Sequence, residues 1–272
     1  MSACVPVIVS HGRPNRERPV PNRRRSRVMV VLPAYNEEQN IGALLERLDE
    51  AMADAYLRYD VIVVDDGSRD RTFEVLESYA STLPLTVARH EQNQGLGATI
   101  RDGLVLAASQ AQDSDVIVTM DADATHTPGL IERMVQMIHE GHHVVIASRY
   151  QRGSRTYGVP MLRRVMSYGA SWLFRGLFPI PGVRDYTCGY RAYRASILKL
   201  AIATYGEAFV NLSGFQAMVD ILLKLRRLPA VFGEAPMILR YDLKGGASKM
   251  RVGRTAIQTL KLIARRRLGD YA

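Results

Sequence analysis

The sequence is poor in cysteine and has no long hydrophobic run. Of its 272 residues only Cys4 and Cys188 are cysteines, and no apolar stretch approaches the roughly 18 residues that a membrane-spanning helix needs. One cysteine lies in an unpatterned tail, so a disulfide framework is not expected and a reducing cytoplasm fits best. The mildly apolar first ten residues have no basic segment before them and are followed by seven arginines, unlike a signal peptide. We therefore expect a cytoplasmic protein that does not cross a bilayer.

Acidic residues are scarce at both ends of the chain. Residues 1–27 carry seven arginines against one glutamate, and residues 240–272 carry nine lysines and arginines against two aspartates. The net charge of +9 is therefore concentrated at the ends, and the middle is mildly acidic. This distribution is not typical of a duplex-DNA-binding surface, and no nucleic-acid partner is expected. Basic ends suit an anionic membrane surface, where each Lys or Arg contributes about 1 kcal/mol, although residues 1–27 could equally be a solubilising tail.

Composition and periodicity divide the chain into three parts. Residues 1–26 contain four prolines and almost no periodicity, which predicts a disordered basic tail. Residues 27–250 are predicted to form the folded domain. Residues 251–272 are predicted to form a basic amphipathic helix at the C-terminal end.

Short apolar strands alternate with amphipathic helices through the first half of the domain. Strands are predicted at residues 28–33, 60–64, 85–89, 116–120 and 143–148, and helices at 40–55, 72–80, 95–108 and 128–140. This alternation, with short connections, predicts an α/β fold with a mostly parallel open sheet and helices on both faces.

Beyond residue 148 the alternation stops. Residues 161–178 combine aromatic, apolar and basic side chains, which predicts one or two interfacial amphipathic helices or, alternatively, a helix packed on the sheet. Residues 184–191 are interpreted as a polar turn, residues 214–225 as a helix and residues 237–241 as a strand.

Acidic side chains gather where the predicted strands end. Asp121 and Asp123 follow one strand, the pair Asp65-Asp66 follows another, and Glu37 lies just beyond a third. Ligands of open α/β sheets bind beyond the carboxyl ends of the strands, and clustered carboxylates repel one another unless a ligand uses them. An Asp-x-Asp pair at this place can hold a divalent cation, and oxygen ligands suit Mg²⁺ or Mn²⁺.

The ordered motifs resemble a known enzyme family. They are Leu32-Pro33-Ala34-Tyr35-Asn36-Glu37, Val64-Asp65-Asp66-Gly67-Ser68, Gly95-Leu96-Gly97, Met120-Asp121-Ala122-Asp123, Ser148-Arg149-Tyr150, Asp185-x-Thr187-x-Gly189-Tyr190-Arg191 and Ser248-Lys249. This set is similar to the family 2 inverting glycosyltransferases of the GT-A fold, and most of all to the dolichol-phosphate mannose synthase group. The resemblance covers roughly residues 27–255. It implies a Rossmann-like nucleotide-binding half, acceptor-side helices and a nucleotide-sugar donor.

The resemblance also implies a role for each matching residue. Donor-binding positions would be Pro33, Tyr35, Glu37, Val64, Asp65, Asp66, Gly95, Asp121, Ala122, Asp123, Arg149 and Lys249, with Asp65 supporting its loop. Metal positions would be Asp121, Asp123 and Thr125, acceptor positions Arg191 and Gln216, and catalytic positions Asp123, Asp185, Arg149 and Lys249. Two departures affect the sugar and acceptor contacts. The family often has an aromatic-Gln-Met-Glu pattern where this chain has residues 215–218, which lack the acid; Asp220 lies two positions further on. The basic residue that usually precedes the Ser-Lys pair is also out of register, which leaves Arg240 and Lys244 as candidates.

The expected reaction is transfer of a sugar, mannose from GDP-mannose, with inversion to a polyprenyl or dolichyl phosphate at the cytoplasmic membrane face. A phosphate acceptor is already ionised near neutral pH, because its second pKa is about 6, and needs positioning more than a base. A hydroxyl acceptor would need a carboxylate base, Asp185 first and Asp220 second. Another donor (UDP-glucose or UDP-N-acetylglucosamine), a nucleotidyltransferase and a non-catalytic basic module are the alternatives. Whether a partner subunit anchors the protein is left open by the sequence.

Overall fold

An eight-stranded sheet forms the centre of the molecule. The computed structural model describes residues 6–9, 26–214, 216–243 and 252–271. The strands are β1 (Pro6–Val9), β2 (Val28–Ala34), β3 (Tyr59–Asp65), β4 (Leu85–Arg89), β5 (Val116–Thr119), β6 (Val144–Ser148), β7 (Arg155–Tyr157), β8 (Arg191–Arg194), β9 (Phe232–Pro236) and β10 (Ile238–Arg240). The helices are α1 (Ile41–Asp54), α2 (Thr72–Tyr79), α3 (Leu96–Gln110), α4 (Leu130–His139), α5 (Met161–Leu177), α6 (Ala195–Tyr205), α7 (Gln216–Leu225) and α8 (Val252–Arg267). Two 3₁₀ helices, Gly206–Val210 and Tyr241–Leu243, complete the described part.

The sheet is mostly parallel, as the alternation of strands and helices predicted. Its strand order is β1-β4-β3-β2-β5-β8-β6-β9, and β7 pairs separately with β10. Strands β4, β3, β2 and β5 are parallel neighbours, and so are β6 and β9. Helices lie on both faces, with α3, α6 and α7 in contact as one layer and α1 in contact with α2. The predicted fold class is confirmed.

Strand β8 departs from the sequence interpretation. It lies antiparallel between β5 and β6, pairing Val118 with Ala192 and Val145 with Ala192. The sequence analysis interpreted residues 184–191 as a polar turn and predicted no strand at residues 191–194. A central strand carrying two arginines is not expected from the apolar pattern of buried strands, and helix α6, which follows directly, was also missed.

The N-terminal segment contains one element that the sequence analysis did not predict. Residues 6–9, placed within a disordered tail, form β1 and pair antiparallel with β4. Edge strands present unpaired backbone groups that attract another strand, and the run Pro-Val-Ile-Val is suited to that role. Residues 1–5 and 10–25 lie outside the described part, so the prediction of disorder stays a prediction for them.

The central strands are buried on both sides. Val28, Val30 and Val31 of β2 and Ile62 and Val63 of β3 have no solvent exposure, as expected for a parallel sheet covered on two faces. Helix α1 packs through a stripe at helical spacing formed by Ile41, Leu44, Leu45, Leu48 and Met52. Helix α3 packs against both β2 and β3, so the central strands are covered by helices on the side that it occupies.

Helix α3 begins in close contact with the segment before α7. A Cβ atom at Gly97 would lie 1.6 Å from the carbonyl oxygen of Leu212, and the Gly97 amide donates to the Ser213 carbonyl at 3.1 Å. The first turn of α3 is thereby joined to the segment that leads into α7. None of the helices within the described ranges has both the length and the apolar character needed to cross a bilayer.

We predict that Gly97→Ala lowers the free energy of unfolding by about 1–3 kcal/mol, because the methyl group overpacks against a backbone oxygen that cannot move alone. Gly169→Ala on α5 is the matched control. Its Cβ would meet nothing within 4 Å, so the better helix propensity of alanine should leave stability unchanged or raise it by up to about 1 kcal/mol. Chemical denaturation measures both variants. Equal stability of the two would contradict the packing argument.

Candidate functional site

A cleft of about 790 Å³ opens beyond the carboxyl ends of β2, β3 and β5 and extends to α5 and α8. Most residues that the sequence analysis assigned to a site line this cleft. They are Pro33, Tyr35, Glu37, Asp66, Gly95, Asp121, Ala122, Asp123, Thr125, Arg149 and Gln216. Residues from six separate segments are therefore brought together at one edge of the sheet.

The loop after β5 holds two carboxylates in a fixed arrangement. Asp123 Oδ1 accepts hydrogen bonds from the Thr125 hydroxyl at 2.7 Å and the Thr125 amide at 3.2 Å. Ala124 between them has a φ of +61°, a left-handed conformation that a non-glycine residue adopts at some cost. The Asp121 amide donates to Nδ1 of His126, whose ring stacks on Tyr190 with centroids 5.0 Å apart. Hydrogen bonds from within the loop therefore fix the positions of both Asp121 and Asp123.

The donor set of this loop fits a hard divalent cation. Asp121 and Asp123 are half-exposed and both line the cleft, and carboxylate oxygens are the ligands that Mg²⁺ and Mn²⁺ prefer. Thr125, predicted as a third ligand, is 3% exposed and donates its hydroxyl to Asp123, so the structure gives it an orienting contact. Within the described ranges no cluster of three or more His, Cys, Asp or Glu side chains is placed to enclose a metal. Further ligands would therefore come from a bound phosphate group or water.

Arg149 and Asp185 form a buried ion pair at the wall of the cleft. The guanidinium Nε and Nη2 donate to the two Asp185 oxygens at 2.8 and 2.7 Å, and Nη2 also donates to the Thr187 hydroxyl at 2.6 Å. Burial alone would lower the pKa of Arg149, but the Asp185 charge outweighs it and the pKa is raised. Arg149 is thus a permanent cation, with its side chain 22% exposed.

Asp185 does not occupy the position of a general base. It is fully buried, and besides Arg149 its oxygens accept from the amides of Thr187 and Cys188. Burial would raise its pKa, but the charge and hydrogen bonds of Arg149 dominate and hold the pKa below its usual value. An ionised carboxylate engaged on both oxygens positions Arg149. It does not reach the cleft.

The second candidate base, Asp220, also lies outside the cleft lining. It is 1% exposed and lies between Lys224 at 2.9 Å and Arg266 at 2.5 Å. The contact with Arg266 joins α7 to α8, whereas Lys224 lies on α7 itself. Asp220 does not line the cleft, although Gln216 and Met218 of the same helix do.

Asp66 is held at the end of β3 by three donors. Its oxygens accept from the amides of Gln94 at 2.8 Å and Gly95 at 2.9 Å, and one of them contacts His90 Nδ1 at 2.7 Å. The other ring nitrogen of His90 lies 3.0 Å from Asp102 on α3. Hydrogen bonds to the two carboxylates raise the pKa of His90 to about 9 in spite of burial, which acts in the opposite direction.

The remaining donor-side residues divide into cleft and core. Glu37 lines the cleft and accepts from the Asn40 amide group at 2.7 Å. Asp65 is fully buried, accepts from the Ser68 amide and pairs with Arg89 at 3.1 Å, so it supports the loop as the resemblance implied. Val64 lies in the sheet core against α3 and does not line the cleft.

The two predicted acceptor residues have different positions. Gln216 lines the cleft and is 5% exposed, and its Oε1 has no hydrogen-bond partner among the residues that the structure describes. Arg191 is fully buried in β8 and donates to the carbonyl oxygens of Met218 and Tyr186 at 2.6 and 2.8 Å. Its guanidinium is hydrogen-bonded in the protein interior, and Arg191 does not line the cleft. The structure therefore does not place Arg191 where it could contact an acceptor in the cleft. Lys249 lies outside the described residues.

The far wall of the cleft comes from α5 and α8. Arg164, Met166, Ser167, Tyr168 and Leu173 of α5, with Thr259 and Leu260 of α8, line it. Arg164 has no ion-pair partner in the part of the chain that the structure describes. The sequence analysis had noted the mixed apolar and basic character of residues 161–178 but not that they close the cleft. Long-range packing, which leaves no local signal, decides that.

The outer surface of α5 is unusually apolar. Four of its exposed apolar side chains recur at three- to four-residue spacing: Met161 (80% exposed), Val165 (60%), Tyr168 (46%), which also lines the cleft, and Trp172 (70%). Arg175 lies over the Trp172 ring at 5.3 Å. Contiguous exposed apolar surface bordered by arginine marks an interaction surface. We call these four residues the α5 stripe.

Comparison with known proteins identifies the family. Residues 29–200 match the family described as Glycosyl transferase family 2. The chain belongs to this family. It is therefore a glycosyltransferase, as the ordered motifs indicated.

Two relatives of this glycosyltransferase extend over most of the chain. It is 32% identical over 240 residues to the dolichol-phosphate mannosyltransferase of Pyrococcus furiosus, covering 88% of this chain and 63% of that protein. It is 30% identical over 228 residues to the undecaprenyl-phosphate mannosyltransferase of Micrococcus luteus, covering 84% and 88%. The chain thus spans somewhat less than two thirds of the Pyrococcus protein.

Among solved structures, glucosyl-3-phosphoglycerate synthase of Mycobacterium tuberculosis in complex with Mn²⁺, UDP and phosphoglyceric acid has the same fold. The TM-score is 0.62 with 20% identity, and the match covers 90% of this chain and 79% of that one. Another structure of that enzyme contains Mg²⁺ and UDP. At this identity the likeness establishes the GT-A fold of the glycosyltransferase and nothing finer.

We predict that the melting temperature of the glycosyltransferase falls between pH 6.5 and 9. His90 keeps its proton in the folded state up to about pH 9 and loses it near 6.5 when unfolded, so its stabilising contribution is complete below pH 6.5 and lost as the pH rises through 9. The amide of His90→Asn does not titrate, and this part of the decline should vanish in that variant. Calorimetry across this pH range measures both. The same decline in both proteins would contradict the assignment.

Proposed function

We propose that this glycosyltransferase transfers mannose from GDP-mannose, with inversion, to the phosphate of a polyprenyl or dolichyl phosphate at the cytoplasmic face of a membrane. The observation that carries the proposal is the composition of the cleft. One end carries the carboxylates of Glu37, Asp66, Asp121 and Asp123, Arg149 lies between, and the other end is formed by α5 and α8. A nucleotide sugar matches the first end, and a phosphate joined to a hydrocarbon chain matches the rest.

At the donor end the protein supplies oxygen ligands and backbone donors. Asp121 and Asp123 would hold Mg²⁺ or Mn²⁺, which when bound neutralises the negative charge that develops on the departing diphosphate. Thr125 keeps Asp123 in one orientation through its hydroxyl. Asp66, together with the start of α3, shapes the pocket for the nucleoside.

At the acceptor end the protein supplies fixed positive charge. Arg149 remains protonated because Asp185 compensates it, and its Nη1 has no hydrogen-bond partner in the described part, so it is available to an anionic group. A guanidinium suits a phosphate because it offers several donors in a planar array. Arg164 adds a second cation at the same wall. These two arginines position a phosphate oxygen for attack on the anomeric carbon.

The burial of Asp185 and Asp220 favours a phosphate acceptor over a hydroxyl. A hydroxyl nucleophile needs a carboxylate that can accept its proton, whereas a phosphate oxygen is largely ionised near neutral pH, since its second pKa is about 6. Both candidate bases are ion-paired in the interior. Displacement with inversion then proceeds without a proton transfer to the protein.

A second candidate keeps the reaction and changes its substrates. The structural neighbours are named as complexes with UDP or UDP-glucose and phosphoglyceric acid. UDP donors, including UDP-N-acetylglucosamine, and hydroxyl acceptors are therefore worth testing. A non-catalytic binding module would have no use for the donor-end carboxylates. Nucleotidyl transfer would release pyrophosphate and usually has a glycine-rich basic loop directly after the first strand, where this chain reads Pro33-Ala34-Tyr35-Asn36.

The α5 stripe supports an anionic membrane surface as a partner. Its apolar side chains can enter the headgroup boundary while Arg164 and Arg175 meet lipid phosphates. Because α5 also forms the cleft wall, a lipid acceptor could enter beside it. An anchoring partner subunit is part of the same proposal, since attachment through a helix face alone is reversible.

We predict that lipid-soluble label forms from radiolabelled GDP-mannose, and not from UDP-glucose or UDP-N-acetylglucosamine, when polyprenyl phosphate and Mg²⁺ or Mn²⁺ are present. Asp123→Asn should reduce turnover at least about a hundredfold, because stabilisation of the leaving group is worth several kcal/mol. Asp113→Asn, an exposed aspartate paired with Lys199, is the matched control and should retain full activity. Donor hydrolysis or binding without lipid labelling would contradict the lipid acceptor.

We also predict that Trp172 fluorescence shifts to shorter wavelength with anionic vesicles and less with neutral ones. Trp172 is the sole tryptophan of the sequence and is 70% exposed, so its emission reports the α5 stripe directly. Val165→Glu should weaken vesicle binding at least about tenfold, whereas Leu200→Glu, an exposed leucine on α6, should leave it unchanged. Equal effects of the two substitutions would exclude the α5 stripe as the contact.

A further inference from the structure

His90 forms a buried bridge between the donor pocket and helix α3. Its side chain is 2% exposed, with Nδ1 2.7 Å from Asp66 Oδ1 and Nε2 3.0 Å from Asp102 Oδ2. Asp102 is held in turn by Arg101, whose Nε donates to its other oxygen at 2.7 Å. A loop residue at the end of β4 thus joins a carboxylate of the cleft to the second turn of a helix.

We propose that His90 is a positioning residue for the donor nucleotide, which it serves by fixing the carboxylate of Asp66 in its binding orientation. The inference rests on the proposed function, because it assumes that a nucleotide occupies the cleft beside Asp66. No contact between His90 and the ligand is required. His90 does not line the cleft, whereas Asp66 does.

The hydrogen bonds of Asp66 show why one contact matters for the whole pocket. Asp66 Oδ1 accepts from the Gln94 amide as well as from His90, and Oδ2 accepts from the Gly95 amide. Gly95 itself lines the cleft with a φ of +93°. If Asp66 rotates, both amides lose their acceptor and the backbone that opens α3 is released. His90 therefore orients one carboxylate and, through it, two residues of the pocket edge.

The bridge requires a doubly protonated imidazole. Both ring nitrogens face carboxylate oxygens, so each must donate, and only the imidazolium can do this. Asp66 and Asp102 are the charged groups that act on the ring, and they raise the pKa of His90 to about 9. At neutral pH the bridge is complete. Above pH 9 only one ring nitrogen can donate, so the contact to Asp66 is no longer made in every molecule, and nucleotide binding should weaken in parallel.

Two substitutions divide the bridge into its halves. In His90→Asn the amide nitrogen can take the place of Nδ1 and keep the contact to Asp66, whereas in His90→Gln it can take the place of Nε2 and keep the contact to Asp102. Both variants lose one buried hydrogen bond and the charge, so a purely structural role predicts similar losses of both stability and binding. A positioning role predicts that nucleotide affinity follows the Asp66 contact alone.

The test is calorimetric titration of the 272-residue chain with GDP and with UDP in the presence of Mg²⁺, from pH 6.5 to above pH 9. We expect His90→Gln to raise the dissociation constant of the bound nucleotide about tenfold, the loss of one charge-assisted hydrogen bond, and His90→Asn to raise it by less than about threefold. The unaltered protein should lose affinity above pH 9 and His90→Asn should not. His142→Gln, a half-buried histidine bonded to the Met137 carbonyl, is the control and should bind as the unaltered protein does.

The outcomes separate the inference from the proposed function. Equal affinity losses in the Asn and Gln variants, or none in either, would overturn the positioning role while nucleotide binding by the unaltered protein stands. Binding of neither nucleotide to the unaltered protein would overturn the proposed function, and the inference with it. Unequal losses in the expected order, together with the pH profile, would support both.

Discussion

The buried ion pair between Arg149 and Asp185 is the constraint on which the site depends. It joins the residue after β6 to the segment that leads into β8, two parts of the chain 36 residues apart. Removing one member of such a pair leaves an uncompensated buried charge, which costs about 3–5 kcal/mol. Glu234 on β9 fixes the segment from the other side by accepting from the amides of Arg184 and Asp185, each at 2.6 Å. Three strands therefore determine where one cationic group lies in the cleft.

Charge compensation also explains how acids can collect at one sheet edge. Asp65 is matched by Arg89, Asp66 by His90 and Asp185 by Arg149, each at 3.1 Å or less. Carboxylates gathered at one sheet edge repel one another unless opposite charges or a ligand compensate them. The three cations supply this compensation and hold the acids in fixed orientations. The pocket is thus prepared for a ligand before the ligand arrives.

The strands and the donor end were predictable because local patterns encode them. A β-branched run followed by polar residues identifies β2, β3 and β5, and the carboxyl ends of parallel strands must meet at one edge, so Tyr35, Asp66 and Asp123 could be placed together. Strand β8 was not predictable in this way. Arg191 is buried by donating to backbone carbonyls that only the folded chain brings near it. From the sequence alone, Arg191 was therefore assigned to acceptor binding.

The contact between helices α7 and α8 also depends on charge compensation. Asp220 lies where the motif comparison led us to look for a missing acid, but its charge is shared by Lys224 and by Arg266 of α8. Arg266 and Arg227 both lie over the Tyr271 ring, at 4.9 and 4.3 Å from its centroid. Burial lowers the pKa of Lys224, and the charge of Asp220 only partly opposes this shift. The ion pairs of the buried Asp220 favour one relative position of α7 and α8, because other positions would leave its charge uncompensated. Leu260 of α8 and Gln216 of α7 both line the cleft, so this charge cluster joins two helices of the cleft wall without lining the cleft itself.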